Sequence, residues 1–447
     1  MIISTEVKNL IQLYFRPKLL LVLTLGFASG LPLLLTGSTL TIRLREAGID
    51  LAAIGLFSLV GIPYSLKFIW APLLDRLPLP ILTRVFGRRR GWMLAIHFLL
   101  IIAISIMGLI PPTDTSIWWI AFVAIAVASL SATQDIAIDA YRIEILDEQE
   151  YGAGAAMAVY GFRVGMLMST VGTLYLAEYL DWGLAYVLTA LTLCVGIIAI
   201  LLAPSPKNEP KVTMSGSLSS IFGETYWAPL AEFSRRDGWL VLLLFVLLYK
   251  FGDALLSQMM GALFVDLNYD KSTIANMGKL FGFWAMMVGI FVGGLLVGAL
   301  GLGRTLLIAG VLQGLSNLAF WRLAVVGQQH LAAGEGADAS LLGWVVGIEA
   351  FAGGLGQTAF IAFLMRLCDP RHTAAQFALL TSIMAFSPKV LVAPAGYLAS
   401  ELGWANFSLA TAAAAIPGIL LLIWLLISYP DTWRTRVTSI KEPGLEA

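Results

Sequence analysis

The chain has 447 residues, 59% apolar and only 13% charged, and its 28 Lys and Arg balance 28 Asp and Glu for no formal net charge. A water-soluble domain carries roughly 25% charge, so that class is excluded, and nucleic acid is excluded as a partner because the positive excess it requires is missing. Two cysteines, Cys194 and Cys368, and three scattered histidines, His97, His330 and His372, offer neither a disulfide framework nor a metal-ligand spacing.

A mean hydropathy of +0.85 and repeated runs of about 20 apolar residues predict an all-α integral membrane protein. Spans are expected near 19–40, 51–72, 91–110, 117–138, 153–176 and 184–203, then near 239–264, 274–299, 302–325, 341–366, 374–399 and 405–428. The fourth is expected to continue as helix to about Leu146. The first follows Lys8, Arg16 and Lys18 and lacks a small-residue cleavage site, so it reads as an uncleaved helix. With the N-terminus inside, the inner segments hold 19 Lys or Arg and the outer ones four, Arg43, Arg45, Lys271 and Arg322. That bias places both termini in the cytoplasm.

Charges inside the spans carry the functional information, because each costs roughly 2.5 to 3.5 kcal/mol at the bilayer centre unless it finds a partner, water or a role. Lys67, in the second span, is expected to snorkel. In the fourth span Asp135, Asp139 and Arg142 fall within about 60° of one helix face. The stripe reads as a conformational latch onto Asp75, Arg76 or Arg88 in the loop after span two, or as a proton relay with Asp135 its deepest member. Arg163, between Gly161 and Gly165 in span five, either answers those acids or binds a carboxylate or phosphate through its planar fork.

The segment from Pro204 to Gly238 is the only long polar break between spans and divides the chain. Domains are therefore expected at 1–203, a linker at 204–238, a second bundle at 239–429 and a tail at 430–447. A shift of about 223 residues superposes Gln134 on Gln357 and Ala71 on Gly294, brings Gly87 near Gly303 and sets Trp182 one residue from Trp404. Such an internal repeat predicts two pseudo-symmetric six-helix bundles, with Gln134 and Gln357 facing a shared cavity.

After the linker, Lys250 and Asp253 stand at i and i+3 in span seven. They are either a self-neutralising pair or a switch in which a proton on Asp253 frees Lys250 for an anion. Lys279, in span eight, is expected to snorkel. Glu349, in span ten, is a second protonatable candidate, and Lys389, after Pro388 in span eleven, is a further cavity cation. Gly26 with Gly30, Gly161 with Gly165 and Gly294 with Gly298 have the small-x-x-x-small spacing of close helix packing.

Six helices repeated in parallel are the architecture of the major facilitator superfamily. The loop Asp75-Arg76 followed by Gly87-Arg88-Arg89-Arg90 resembles the superfamily's G-x-x-x-D-R-x-G-R-R signature. It departs in having Ala71 for the first Gly and ten residues, Leu77 to Phe86, between its parts. The strings Gly26-Phe27-Ala28-Ser29-Gly30-Leu31-Pro32, Gly55 to Asp75, Gly87 to Trp92, Gln134 to Tyr141, Gly152 to Ala156, Leu248 to Ala254 and Gln376 to Leu380 together resemble the AmpG-type muropeptide permeases. The resemblance runs over essentially all spans, although some members carry two further C-terminal helices. It implies a bacterial inner-membrane importer of N-acetylglucosaminyl-1,6-anhydro-N-acetylmuramyl peptides driven by the proton gradient. The segments that hold Arg163, Lys250, Asp253, Asp135, Asp139 and Glu349 match the family's pattern.

Alternatives are a transporter of acyl-coenzyme A or a siderophore, a drug efflux pump, a membrane-embedded transferase or hydrolase, and a non-transporting receptor. An enzyme is disfavoured by the lack of any Ser-His pair, His-Asp cluster or metal spacing. The expected partners are the muropeptide, protons and the lipid bilayer. No cofactor or metal is expected, and a monomer suffices.

Overall fold

The computed structural model describes residues 11–49, 57–113, 115–206, 228–236, 238–270, 273–369, 371–386, 391–392 and 394–429. Lys389, Lys271, the linker from 207 to 227 and the tail lie outside the described residues, as does the side chain of Lys279. Among the described residues every regular element is helical, and ten stretches are long and apolar enough to cross a membrane.

The first expected span bends at Thr36–Gly37, giving α1 (Pro17–Leu35) and α2 (Ser38–Glu46). The second is broken into short turns that end in α3 (Ala71–Arg76), because Pro63 and Pro72 each begin a helical turn without an N–H to extend the one before. Next come α4 (Arg88–Leu109), α5 (Ile117–Ile145), α6 (Tyr151–Leu167), a π turn at Met168–Gly172, α7 (Thr173–Tyr179), α8 (Trp182–Leu191) and α9 (Cys194–Leu202). The fourth span runs to Ile145, close to its expected end.

Beyond the linker, α10 (Trp239–Leu248) and α11 (Phe251–Asp266) form one span interrupted at Lys250, whose backbone leaves helical geometry at φ −104°, ψ 9°. A π segment, Ile274–Phe281, leads into α12 (Gly282–Leu300), followed by α13 (Leu302–Ala333), α14 (Ala339–Arg366) and α15 (Thr373–Phe386). The last stretch, α16 (Ala395–Ser428), takes in the end of the expected eleventh span as well as the twelfth and turns at Gly403, where φ is 71°.

Close helix packing explains the glycines of α1 and α6. A Cβ on Gly161 would lie 1.9 Å from the Leu23 carbonyl oxygen, and one on Gly30 2.1 Å from that of Phe162. Backbones that approach so closely gain van der Waals contact in a solvent that gives helices no hydrophobic drive to associate. Of the expected Gly294–Gly298 pair, only Gly294 sits in such a contact. Gly294 meets Tyr14 and Gly152, across from its own half, while Gly298 is exposed.

The repeat is visible in detail. Trp182 donates its indole N–H to Glu46 at 2.9 Å and Trp404 donates to Asp266 at 2.8 Å, so in each half a tryptophan opening the last span ties down the end of the first. Gly87 (φ 83°, ψ 166°) starts α4 and its counterpart is Gly301 (φ 81°, ψ 165°), not Gly303. Gly301 is the residue placed to start α13 with the left-handed φ that glycine tolerates. Between the halves, Tyr14 and Tyr160 donate hydroxyls to the Phe291 and Met287 carbonyls of α12.

Candidate functional site

One row of α14 collects most of the predicted residues. Glu349, Gly353 and Gln357 follow at intervals of four, so they share a face one turn apart. Lys250, at the break between α10 and α11, extends its ammonium to Asp253 Oδ2 at 3.2 Å and to the Gly353 carbonyl at 3.5 Å. Gln313 of α13 donates to the same Asp253 oxygen at 3.1 Å, and Asp253 Oδ1 has no hydrogen bond. Glu349 interacts electrostatically with both Asp253 and Lys250. Arg163 of α6 crosses from the other half to donate to Gln357 Oε1 at 3.4 Å, and its Nε has no acceptor.

The arrangement can exchange charge. Asp253 shares one oxygen between an ammonium and an amide; a proton on it would release Lys250, while Glu349 supplies a second acid in electrostatic reach. The side chains of Lys250 and Asp253 are 21% and 17% exposed. Gln313 and Gly353 were not singled out in the sequence. Gln313 shows there only as one polar residue in an apolar span, and Gly353 as one glycine among 43.

Gln134 lies elsewhere. It is fully buried in the first half and donates to His97 Nε2 at 3.1 Å, while His97 Nδ1 bonds the Met93 carbonyl. Asp135 accepts the Ser29 hydroxyl and interacts with Lys67. Lys67 is buried, not snorkelling, because the broken second span turns it toward that counter-charge.

At the linker end, a second network joins the halves. Arg89, 1% exposed, meets Asp75 and Glu144, each at 2.6 Å, and donates to Thr373 Oγ1 at 3.0 Å. Thr373 donates in turn to Glu144 at 2.7 Å, and Asp75 accepts the backbone N–H groups of Ala374 and Ala375. Asp75 thus caps α15 from the far side of the linker, where an anion is favoured by the helix N-terminus.

The expected latch partners need correction. Asp139 pairs with Arg142 on its own helix at 2.9 Å, and the Arg142 guanidinium lies 5.4 Å from the Phe377 ring centroid. Glu144 takes the latch position because it stands about half a turn round the helix from Asp135, outside the stripe. Arg89, not Arg88, holds Asp75; Arg88 is buried beside it and Arg76 is half-buried at the end of α3. A peripheral pair, Arg366 with Glu148 at 3.4 Å, closes the same end. In the loop between α14 and α15, hydrogen bonding to Arg371 holds the Asp369 carboxyl below its usual range, and burial does the same to the His372 imidazole.

Residues 19–388 match the model of the Major Facilitator Superfamily. The chain is 41% identical over 417 residues to the anhydromuropeptide permease of Escherichia coli (strain K12), covering 92% of this chain and 80% of that protein. The chain belongs to the Major Facilitator Superfamily, among the AmpG-type permeases. A relative in Rickettsia felis, "Putative transporter AmpG 4", is 34% identical over 404 residues, covering 90% of this chain and 94% of that protein.

Solved transporter structures share the fold. The human organic anion transporter MFSD10 superposes with a TM-score of 0.61 at 17% identity, over 93% of this chain and 99% of that one. A bacterial homologue of the iron transporter ferroportin, solved in an outward-facing state, gives 0.62 at 13% identity, over 92% and 99%. The superfamily signature read in the sequence is the segment that builds the linker-end network, with Asp75 and Arg89 at its centre.

Proposed function

We propose that this chain is a proton-coupled importer of anhydro-muropeptides, N-acetylglucosaminyl-1,6-anhydro-N-acetylmuramic acid with or without its peptide, working by alternating access in the bacterial cytoplasmic membrane. The observation that carries the reading is the 41% identity over 92% of the chain to a permease of that substrate. Twelve spans in two six-helix bundles, 1–203 and 239–429, complete the reading, with the linker and tail in the cytoplasm on the strength of the 19-to-4 bias. The protein acts as a monomer and catalyses no covalent chemistry.

Physics supports the coupling. Moving an anion inward against an inside-negative potential costs about 2.3 kcal/mol per charge per 100 mV, and one proton per net negative charge removes that cost. Asp253 is the coupling carboxyl, with Glu349 its companion and Asp135 a third candidate. Arg163, Lys250 and Gln357 bind substrate, and Lys389 is proposed as a further cavity cation. Asp75, Arg89 and Glu144, with Asp139 and Arg142 beside them, form the cytoplasmic gate. A closed gate supports a state that receives substrate from outside.

The test is uptake of radiolabelled anhydro-muropeptide into proteoliposomes with and without an imposed inward proton gradient. Accumulation only with the gradient supports the reading. No transport by folded protein under any gradient removes the substrate assignment.

A further inference from the structure

The row on α14 is partly exposed at Glu349, Gly353 and Gln357, while Ala352, Gly354, Leu355 and Gly356 between them are buried. Two cations reach this row from opposite halves of the chain. Lys250 lies 3.5 Å from the carbonyl of Gly353, and Arg163 lies 3.4 Å from Gln357 Oε1, one turn further on. Gly353 and Gln357 stand about one turn apart on this face, so the two heads converge on one stretch of α14, and both can donate charge-assisted hydrogen bonds to a carboxylate.

Gly353 itself is not explained by packing. A Cβ there would meet only Glu349 Oε1, at an ordinary 3.8 Å, whereas at the neighbouring Gly354 it would lie 2.4 Å from the Met286 carbonyl oxygen. Helix contact therefore demands glycine at 354 and not at 353. What the missing side chain leaves at 353 is open floor between the cations. Nor is Arg163 satisfied by the protein: among the described residues it has no carboxylate partner, its one hydrogen bond is long and goes to a neutral amide, and its Nε has none. A guanidinium held that way in a partly desolvated site is suited to anchor an anion.

We propose that the floor at Gly353, flanked by Arg163 and Lys250, is a carboxylate-binding subsite that clamps an anionic group of the substrate between the two halves. It rests on the muropeptide reading and deepens it. The site also links substrate to proton, since Asp253 and a substrate carboxylate compete for the same ammonium. Substrate seated there needs Asp253 protonated to gain the full charge of Lys250.

The test uses the full chain in lipid nanodiscs and two ligands: the disaccharide N-acetylglucosaminyl-anhydro-N-acetylmuramic acid, whose lactyl carboxylate is its one charge, and the same disaccharide with that group as a methylamide. Wild type is expected to bind the acid about tenfold or more tightly than the amide. Arg163→Gln is expected to bring that ratio close to one with the Kd of the amide little changed, and Arg163→Lys to keep part of it. Gly353→Ala, which the fold accommodates, is expected to lower the ratio by crowding the floor. Unchanged melting temperatures separate these effects from misfolding. A wild-type ratio near one, or a ratio that survives both Arg163→Gln and Gly353→Ala, overturns the subsite alone. Failure of folded wild type to bind either ligand overturns the muropeptide reading and the subsite's ligand with it.

Discussion

Asp75 accepts the backbone N–H of Ala375 at 3.0 Å, so a side chain from before the linker caps a helix that lies after it. The same carboxylate holds Arg89 at 2.6 Å, and the cap and the ion pair therefore open together. Asp75→Ala is expected to shift the population toward a state open at the linker end. Spin labels at the exposed positions Val85 and Leu300 report this as a longer distance distribution. Glu144→Gln removes one of the two buried carboxylates on Arg89 and is expected to cost about 3 kcal/mol of stability, the usual range for breaking a buried pair. Unaltered distances in Asp75→Ala would contradict the gate.

His372 precedes the capped helix, and burial lowers its pKa with the proposed gate in this arrangement; Asp75 and Asp369 raise it, and Arg371 and Arg76 lower it. A base whose pKa is depressed in one state favours that state while neutral. The closed gate therefore has its full contribution from His372 above about pH 6.5, the ordinary imidazole value, and loses it as pH falls below that. The same label pair is expected to show more open population at pH 5.5 than at 7.5, and His372→Gln to flatten the difference. A gate equally closed at both pH values in wild type would refute this.

Most of the architecture was legible because long apolar runs report membrane helices directly, and the Trp182–Glu46 and Trp404–Asp266 ties bear out the repeat. The residues that the structure brings together on the α14 row were legible where a charge stood in an apolar run, as for Lys250, Asp253, Glu349 and Arg163. Gln134 misled because its match to Gln357 fixes a place along the helix and not the direction it faces; it turned toward His97. Glu144 and Arg89 were missed because both stand at span ends, where charge is commonplace. Gly353 carries no chemical signal in sequence, and only its open surroundings distinguish it from the packing glycines.

That distinction among glycines predicts opposite outcomes for one substitution. Gly161→Ala drives a methyl to 1.9 Å from the Leu23 carbonyl oxygen, so α1 and α6 must separate. A loss of about 3 kcal/mol or more is expected, the upper range for overpacking, seen as a large fall in melting temperature or no folded yield. Gly298→Ala, at an exposed position, is expected to stay within about 0.5 kcal/mol of wild type. Equal effects at both sites would mean that the glycine crossing is not what sets the helix spacing.

One coupling carboxyl and two differ in how their variants combine. Asp253 touches Lys250 and Gln313, and it interacts with Glu349 through charge alone. Asp253→Asn leaves the amide in place of the anion, so Lys250 is permanently free for substrate. Gradient-driven accumulation is expected to fall at least about tenfold while counterflow exchange, which needs no proton cycle, continues. Glu349→Gln removes the companion charge and is expected to lower accumulation less. A single proton shared by the two predicts that the double variant accumulates substrate no worse than Asp253→Asn alone. Sites that share a partner show such non-additivity, whereas independent sites sum. Losses that add would assign Glu349 a proton of its own, and accumulation that survives Asp253→Asn would move coupling away from this cluster to Asp135.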